Sequence, residues 1–229
     1  MGASIPEVVI RRLPVYARAL ATLAEQRVAV VSSMELGRLL QVTPAQIRKD
    51  LSYFGEFGKQ GTGYDVAFLL GEIRKILGLD RQWPMVLIGM GQLGRAVLGY
   101  SGFAAAGFPI VAAFDHNPVK VGSRIGSLTI RDPSELGATI AELGVKVGVV
   151  AVPAAAAQQV VDTMVAGGVR AILNYAPTTV RVPAGVRVRN IDPVSALQSM
   201  TYHLAEMNRN GEQSALAAAP GRAVSLDGA

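Results

Sequence analysis

M-V-L-I-G-M-G-Q-L-G, residues 85–94, decides how the larger part of this chain folds. Met85–Ile88 is an apolar run of strand length, and glycines at 89, 91 and 94 follow it directly. In that context each glycine has its own task. Gly89 makes the tight turn, Gly91 lets the backbone approach a pyrophosphate, and Gly94 lets the following helix pack on the strand. Met90, Gln92 and Leu93 complete a loop at a helix N-terminus, where an anion is favoured. Asp115 ends the next apolar run, about twenty residues after Gly94, where a carboxylate hydrogen-bonds an adenosine ribose diol and repels a 2′-phosphate. The spacing points to NAD(H) over NADP(H). The alternative is a plain glycine turn with Asp115 as a loop residue.

The Val-, Ile- and Ala-rich runs Ile110–Phe114, Val145–Val152 and Val169–Leu173 continue the strand pattern, with helix-like segments between the last of them. This alternation predicts a doubly wound parallel sheet over residues 85–192, closed by a strand at Val186–Asn190. Residues 193–208 follow as a helix with Leu197, Met200, Leu204 and Met207 on one seam. That seam either covers its own domain or joins two copies of the chain, and the second reading predicts a homodimer. Residues 210–229, rich in Ala, Gly and Ser, are expected to be disordered.

Upstream, residues 1–79 form a smaller α+β domain, with 80–84 as linker. Apolar positions at Val9, Leu13, Tyr16, Leu20 and Leu23 predict a helix over 7–25, kinked or restarted at Pro14. Ser32-Ser-Met-Glu35 is a capping box opening a helix that ends near Leu40, and Thr43-Pro-Ala-Gln46 reads as a second box. Two short helices so close together are a helix-turn-helix signature. On the second helix Ile47, Leu51 and Phe54 form the inward stripe. Ala45, Lys49 and Ser52 lie opposite, flanked by Gln46, Arg48 and Tyr53. Such a face suits a DNA major groove: small residues permit close approach, Gln pairs with adenine, and Arg or Lys with guanine or phosphate. The loop Gly58–Gly63, with Lys59 and Gln60, is the candidate wing. An ordinary solvated helix is the alternative. Tyr64–Leu79 reads as a further amphipathic helix stopped at Gly78.

Composition narrows the field. The 229 residues carry a net charge of +5, and residues 1–60 hold 8 Lys/Arg against 5 Asp/Glu, which permits an anionic partner without demanding one. There is no cysteine, and the only histidines are His116 and His203, so thiolate chemistry and Cys- or His-based metal sites are not expected. No apolar run approaches 18 residues and no signal-peptide pattern opens the chain, so no membrane partner and a cytoplasmic location are expected.

The motifs taken together resemble the redox-sensing transcriptional repressors called Rex. They are A-Q-I-R-K-D-L-S-Y-F-G at 45–55, G-T-G-Y at 61–64, I-L-G-L at 76–79, G-M-G-Q-L-G at 89–94, G-Y-S-G-F at 99–103, A-A-F-D at 112–115, A-V-P-A at 151–154 and A-I-L-N-Y-A-P at 171–177. The resemblance implies a winged helix-turn-helix, a Rossmann-like domain and a homodimer joined partly by an exchanged C-terminal helix, 193–209. It further implies that NADH binding releases a palindromic double-stranded DNA operator, whereas NAD+ competes and allows DNA binding. Carried onto this chain, it adds Tyr100, Lys120, Val152 and Asn174 to the cofactor site, and Pro153, Ala154, Ala176 and Pro177, at expected strand ends, are the candidate apolar wall that disfavours the cationic NAD+. It also implies a switch in which Asp192 pairs with Tyr100 in one state and Arg18 in the other. The bland roles of these three are packing for Tyr100, a helix N-cap for Asp192 and a surface charge for Arg18. The chain departs from the family at Gln60, where the wing usually carries Arg.

Three rivals remain open on the sequence. They are an NAD-dependent dehydrogenase, which lacks an evident proton relay here, a CoA-binding module, and a winged-helix protein whose Rossmann part is only a scaffold.

Overall fold

The computed structural model describes residues 5–58 and 62–218 of the chain, with the side chains of 208 and 210–218 left aside. Lys59 and Gln60, expected in the wing, lie outside the described residues. The chain divides into two compact units, one of Met1–Trp83 with Gly102–Pro109 and one of Pro84–Ser101 with Ile110–Ala229. Expected boundaries at 80–84 and 85 therefore need one amendment: the short segment 102–109 clusters with the first unit. Trp83 N–H donates to the Gly107 carbonyl at 2.7 Å, which ties this segment to the end of the linker.

In the first unit α1 (Glu7–Glu25) runs as one helix through Pro14 and buries Val9, Leu13, Tyr16 and Leu20, the stripe expected from spacing. β1 (Val30–Val31) leads into α2 (Ser33–Leu40), and the Ser32–Glu35 capping box is complete in both directions. Three residues separate α2 from α3 (Pro44–Ser52), which has Pro44 at its first turn. The turn between them is tight enough that a Cβ on Gly37 would stand 2.7 Å from the Val42 carbonyl. The second expected capping box forms by half. Thr43 Oγ1 accepts from Gln46 N at 3.2 Å, but the Gln46 carboxamide donates forward to Asp50. A charge-assisted bond to a buried carboxylate outcompetes a neutral one to an exposed backbone amide.

The helix expected from Tyr64 begins two residues later. Tyr64–Asp65 is instead β2, paired antiparallel with β1 (Val30↔Asp65, Val31↔Tyr64), and α4 (Val66–Ile76) follows with Asp65 as its N-cap. Leu13, Tyr16, Leu20, Leu36, Ile47, Leu51, Leu69 and Ile73 form the core of this unit.

The second unit is built on β3 (Met85–Ile88), α5 (Gln92–Gly99), β4 (Ile110–Phe114), the hairpin β5 (Arg124–Ile125) and β6 (Leu128–Arg131), then α7 (Leu136–Leu143), β7 (Val147–Val150), α8 (Ala154–Gly167), β8 (Ala171–Asn174) and β9 (Arg187–Asn190). The four-residue α6 (Gly102–Ala105) lies in the segment assigned to the first unit. The sheet order is β5-β6-β4-β3-β7-β8-β9, parallel throughout except for β5 against β6. β3 is buried at all four residues, which explains why it reads as an unbroken apolar run. The strand order reverses on either side of β3, which makes the carboxyl end of β3 the place where such a sheet binds ligands. A separate core of Val86, Ile88, Phe114, Ile140, Val150, Val161, Met164 and Ile172 holds this unit.

α9 (Pro193–Ala218) extends past the expected end near 209, so residues 210–218, expected to be disordered, are helical; 219–229 lie outside the described residues. Val194, Leu197, Met200, Tyr202, Leu204 and Met207 are all exposed along it. Among the described residues no helix is long and apolar enough to cross a membrane.

Candidate functional site

The turn from β3 into α5 separates the tasks of its glycines. Gly89 has φ +96°, and a Cβ there would stand 2.3 Å from the Ala151 carbonyl. A Cβ on Gly94 would stand 1.8 Å from the Gly89 carbonyl, so the helix packs on the turn only without a side chain. At Gly91 a Cβ would meet nothing within 4 Å. The backbone there faces open space, as an approaching pyrophosphate requires. Gly91 is the N-cap of α5 and supplies no side-chain acceptor, which leaves the first amides of the helix free of such a cap.

Asp115, just past the end of β4, is 3% exposed. It accepts from Met90 N–H at 2.8 Å, Asn117 N–H at 2.8 Å and the Lys120 ammonium at 2.8 Å. Burial alone would raise its pKa. The Lys120 ammonium and the two amides outweigh that and hold the carboxyl below the usual aspartate value. Asp115 is thus an anion that pins the glycine loop to the end of the neighbouring strand. Beside it lies a cavity of about 670 Å³, lined by Gly89, Asp115, His116, Val152 and Pro153, with Pro133, Ser134, Gln159 and Thr163 from the α7 and α8 side.

Gly89, Asp115, Val152 and Pro153 therefore meet at one cavity, with Met90 and Lys120 bonded to its carboxylate. Pro133, Ser134, Gln159 and Thr163 were not foreseen. They sit on helix starts and faces whose sequence carries no ligand pattern, and only the packing of α7 and α8 brings them together. Asn174 is fully buried. Its Nδ2 donates to the carbonyls of Ala176 and Thr178 and to Asn190 Oδ1, and its Oδ1 accepts from Ala176 N–H. It orders the loop that carries Ala176 and Pro177 past the end of β8. Tyr100 is exposed at the C-terminus of α5. Asp192 N-caps α9, accepting from Val194 N–H at 3.0 Å and Ser195 N–H at 3.2 Å. Arg18 is an exposed residue of α1, in the other unit from Tyr100 and Asp192.

On α3 the inward stripe is Ile47 and Leu51, joined by Asp50. Ala45, Arg48, Lys49, Ser52 and Tyr53 are exposed as expected, and Gln46 is half-buried. Arg48 Nη1 donates to Ser33 Oγ at 3.0 Å. Asp50 was not singled out from sequence. The available signal was its place beside Leu51 on the apolar face, where a carboxylate needs a buried partner. Arg12 binds it from α1 with Nε at 2.5 Å and Nη2 at 2.8 Å, and Tyr16 donates its hydroxyl at 2.7 Å. Burial raises the Asp50 pKa, but Arg12, Tyr16 and Gln46 together lower it below the ordinary value. Burial and then the bond to Asp50 push the Tyr16 phenol far above its own.

Comparison with known proteins places both units. Residues 4–52 match the family model described as putative DNA-binding protein N-terminus, and residues 80–178 the one described as CoA binding domain. The chain is 57% identical over 200 residues to the redox-sensing transcriptional repressor Rex of Chloroflexus aggregans, covering 87% of this chain and 94% of that one. It is 45% identical over 211 residues to the repressor of the same name from Streptomyces coelicolor, covering 92% of this chain and 81% of that one. The crystal structure of RSP in complex with β-NAD+ and operator DNA superimposes with a TM-score of 0.87 at 36% identity, over 93% of this chain and 98% of that chain. RSP in complex with β-NADH gives 0.82 at 34% identity, over 91% and 98%.

Proposed function

The chain belongs to the Rex family of redox-sensing transcriptional repressors, and we propose on that footing that α3 reads operator DNA while the glycine loop holds NADH or NAD+ and sets whether the DNA is kept. It is a regulator and not an enzyme: the coenzyme supplies a redox signal, with no reaction asked of the protein. The observation that carries this reading is the presence in one chain of an exposed helix-turn-helix face and an uncapped α5 N-terminus beside the buried anion Asp115.

Each residue has a physical task. Gly91 and the first amides of α5 hold the pyrophosphate, with Met90, Gln92 and Leu93 shaping the loop and Gly89 and Gly94 keeping its path. Asp115, steadied by Lys120, faces the adenosine ribose. Val152, Pro153, Ala154, Ala176 and Pro177 follow the ends of β7 and β8 and offer an apolar wall to the nicotinamide, with Asn174 fixing the second part of it. NAD+ and NADH differ there by one positive charge, so an apolar wall favours NADH. A ligand shifts an equilibrium only by its unequal affinity for the two states. Asp192, Tyr100 and Arg18 form the switch that converts that difference into a change of the DNA-reading unit. Ala45, Gln46, Arg48, Lys49, Ser52 and Tyr53 face the major groove; the expected minor-groove contacts, Lys59 and Gln60, lie outside the described residues. The exposed apolar seam of α9 supports a homodimer, and a two-fold dimer reads an inverted repeat. A DNA-bound regulator of this kind works in the cytoplasm.

The match to a CoA binding domain favours a second reading. CoA carries a phosphate on its adenosine ribose, which the Asp115 anion opposes, so NADH and not CoA is expected to act.

The test is fluorescence anisotropy of an inverted-repeat duplex with NADH, NAD+ and CoA added separately. NADH is expected to release the duplex, while NAD+ and CoA leave it bound. Unchanged occupancy with the site saturated by NADH overturns the reading.

A further inference from the structure

Asp50 is 0% exposed at the interface of α1 and α3, and every group on it is a donor: Arg12 Nε and Nη2, the Tyr16 hydroxyl and Gln46 Nε2. An ionised carboxylate only accepts hydrogen bonds. The end of the Gln46 carboxamide that faces Asp50, at 2.6 Å, is therefore the NH2 and not the carbonyl. The amide orientation, which electron density rarely decides, is here decided by chemistry.

Gln46 is the third residue of α3, in the first turn, the part of a recognition helix that meets base edges. Its chain neighbour Ala45 is small and exposed, so it does not hold the helix away from a base edge. A glutamine reads adenine by accepting from N6 with its carbonyl while donating one N–H to N7. Asp50 takes one Nε2 proton, which leaves the carbonyl and the second proton as the pair that adenine needs. A glutamine free to flip would present the two in either order and discriminate less.

We infer that Asp50, clamped by Arg12 and Tyr16 from α1, is a positioning residue that fixes the Gln46 carboxamide to read one adenine in each operator half-site. This rests on the assignment of α3 as the DNA-reading helix. Replacing Asp50 by Asn places an NH2 within reach of Gln46 and reverses the preferred order of its donor and acceptor.

The experiment uses the full chain. Duplexes with randomised inverted half-sites are selected with the unaltered protein, and every base of the selected half-site is then substituted and measured by anisotropy competition. Gln46→Ala is expected to lose about 5- to 150-fold of preference at a single A·T position, with the other positions unchanged. Asp50→Asn should lose preference at that same position, and adding Asp50→Asn to Gln46→Ala should lose nothing more there. An Asp50→Asn protein that weakens on all sequences alike, or that still loses preference at that position in the Gln46→Ala background, overturns the proposal.

One measurement does not depend on Asp50→Asn folding. In the 15N–1H spectrum of the DNA-free protein, the Gln46 Nε2 proton that faces Asp50 should exchange slowly with solvent while its twin exchanges fast, and the twin should slow only when operator is added. Two Nε2 protons that exchange equally fast without DNA overturn the proposal. An unaltered protein that selects no sequence removes the DNA-reading premise itself. One that selects a site indifferent to Gln46→Ala removes only the positioning role.

Discussion

Asp50 and Asp115 are both nearly sealed from solvent, at 0% and 3% exposed, and both are held ionised by the groups around them. They differ in who supplies the hydrogen bonds. Asp50 is enclosed by side chains, two of them from α1, more than thirty residues away along the chain. Asp115 is held by backbone amides of its own and the neighbouring loop plus Lys120, with a cavity at its edge. A carboxylate closed in by side chains locks two helices into one arrangement. A carboxylate held from the backbone leaves its remaining lone pairs to a ligand. On the function proposed above, the DNA-reading unit uses its buried charge for rigidity and the cofactor unit uses its own for recognition.

The contrast breaks most visibly at Arg12. Removing it leaves Asp50 buried without its bidentate partner, a loss of about 3–5 kcal/mol for a fully buried pair. Arg12 keeps a quarter of its side chain exposed, which puts the loss at the lower end, about 3 kcal/mol. Calorimetry of Arg12→Ala should show the first unit melting earlier and the second unmoved. A uniform shift of both would mean that the hub serves the whole chain.

Acidification sharpens the same point. The folded-state pKa of Asp50 lies below its unfolded value of about 3.9, so its contribution to stability is complete above that pH. It is lost as pH falls through the lower folded value. The stability gap between the unaltered protein and Asp50→Asn, followed by circular dichroism in urea, should narrow below about pH 4 and stay constant above about pH 5.5.

Asp115→Ala tests the other side. A hydrogen bond to a charged group is worth about 1.5–3 kcal/mol, so NADH affinity by calorimetry should fall about 10- to 150-fold. The first unit should melt at its usual temperature. A change confined to folding, with NADH affinity intact, would make Asp115 a second Asp50. The smallest effect belongs to Asp192→Ala, which removes the N-cap of α9 for about 1 kcal/mol of stability. NADH-driven release from DNA should weaken in that variant while NADH affinity is retained. An unaltered release would leave Asp192 a cap and nothing more.

Legibility in the sequence followed the range of the interactions. The Ser32–Glu35 box, the glycine loop and Asp115 depend on neighbours within one turn or on a fixed strand-turn-helix unit, and each could be read from spacing. The hairpin Arg124–Arg131 could not. Its strands are two and four residues long, too short for the Leu-Thr-Ile-Arg alternation of β6 to stand out, and β6 pairs along the edge that β4 offers. Tyr64–Asp65 leads straight into α4 and becomes a strand only because Val30–Val31 is there to pair with it.

The sequence by itself determined where the capped helices and the buried strands begin, that two kinds of unit share the chain, and which turn can hold a dinucleotide, because those choices are local in backbone geometry and hydrophobic period. Only the tertiary structure decided that Gln46 turns toward Asp50 and away from its own helix cap. A buried charge takes its partners from whatever the fold brings near, and α1 delivers Arg12 and Tyr16 to Asp50 from a distance that no local pattern encodes.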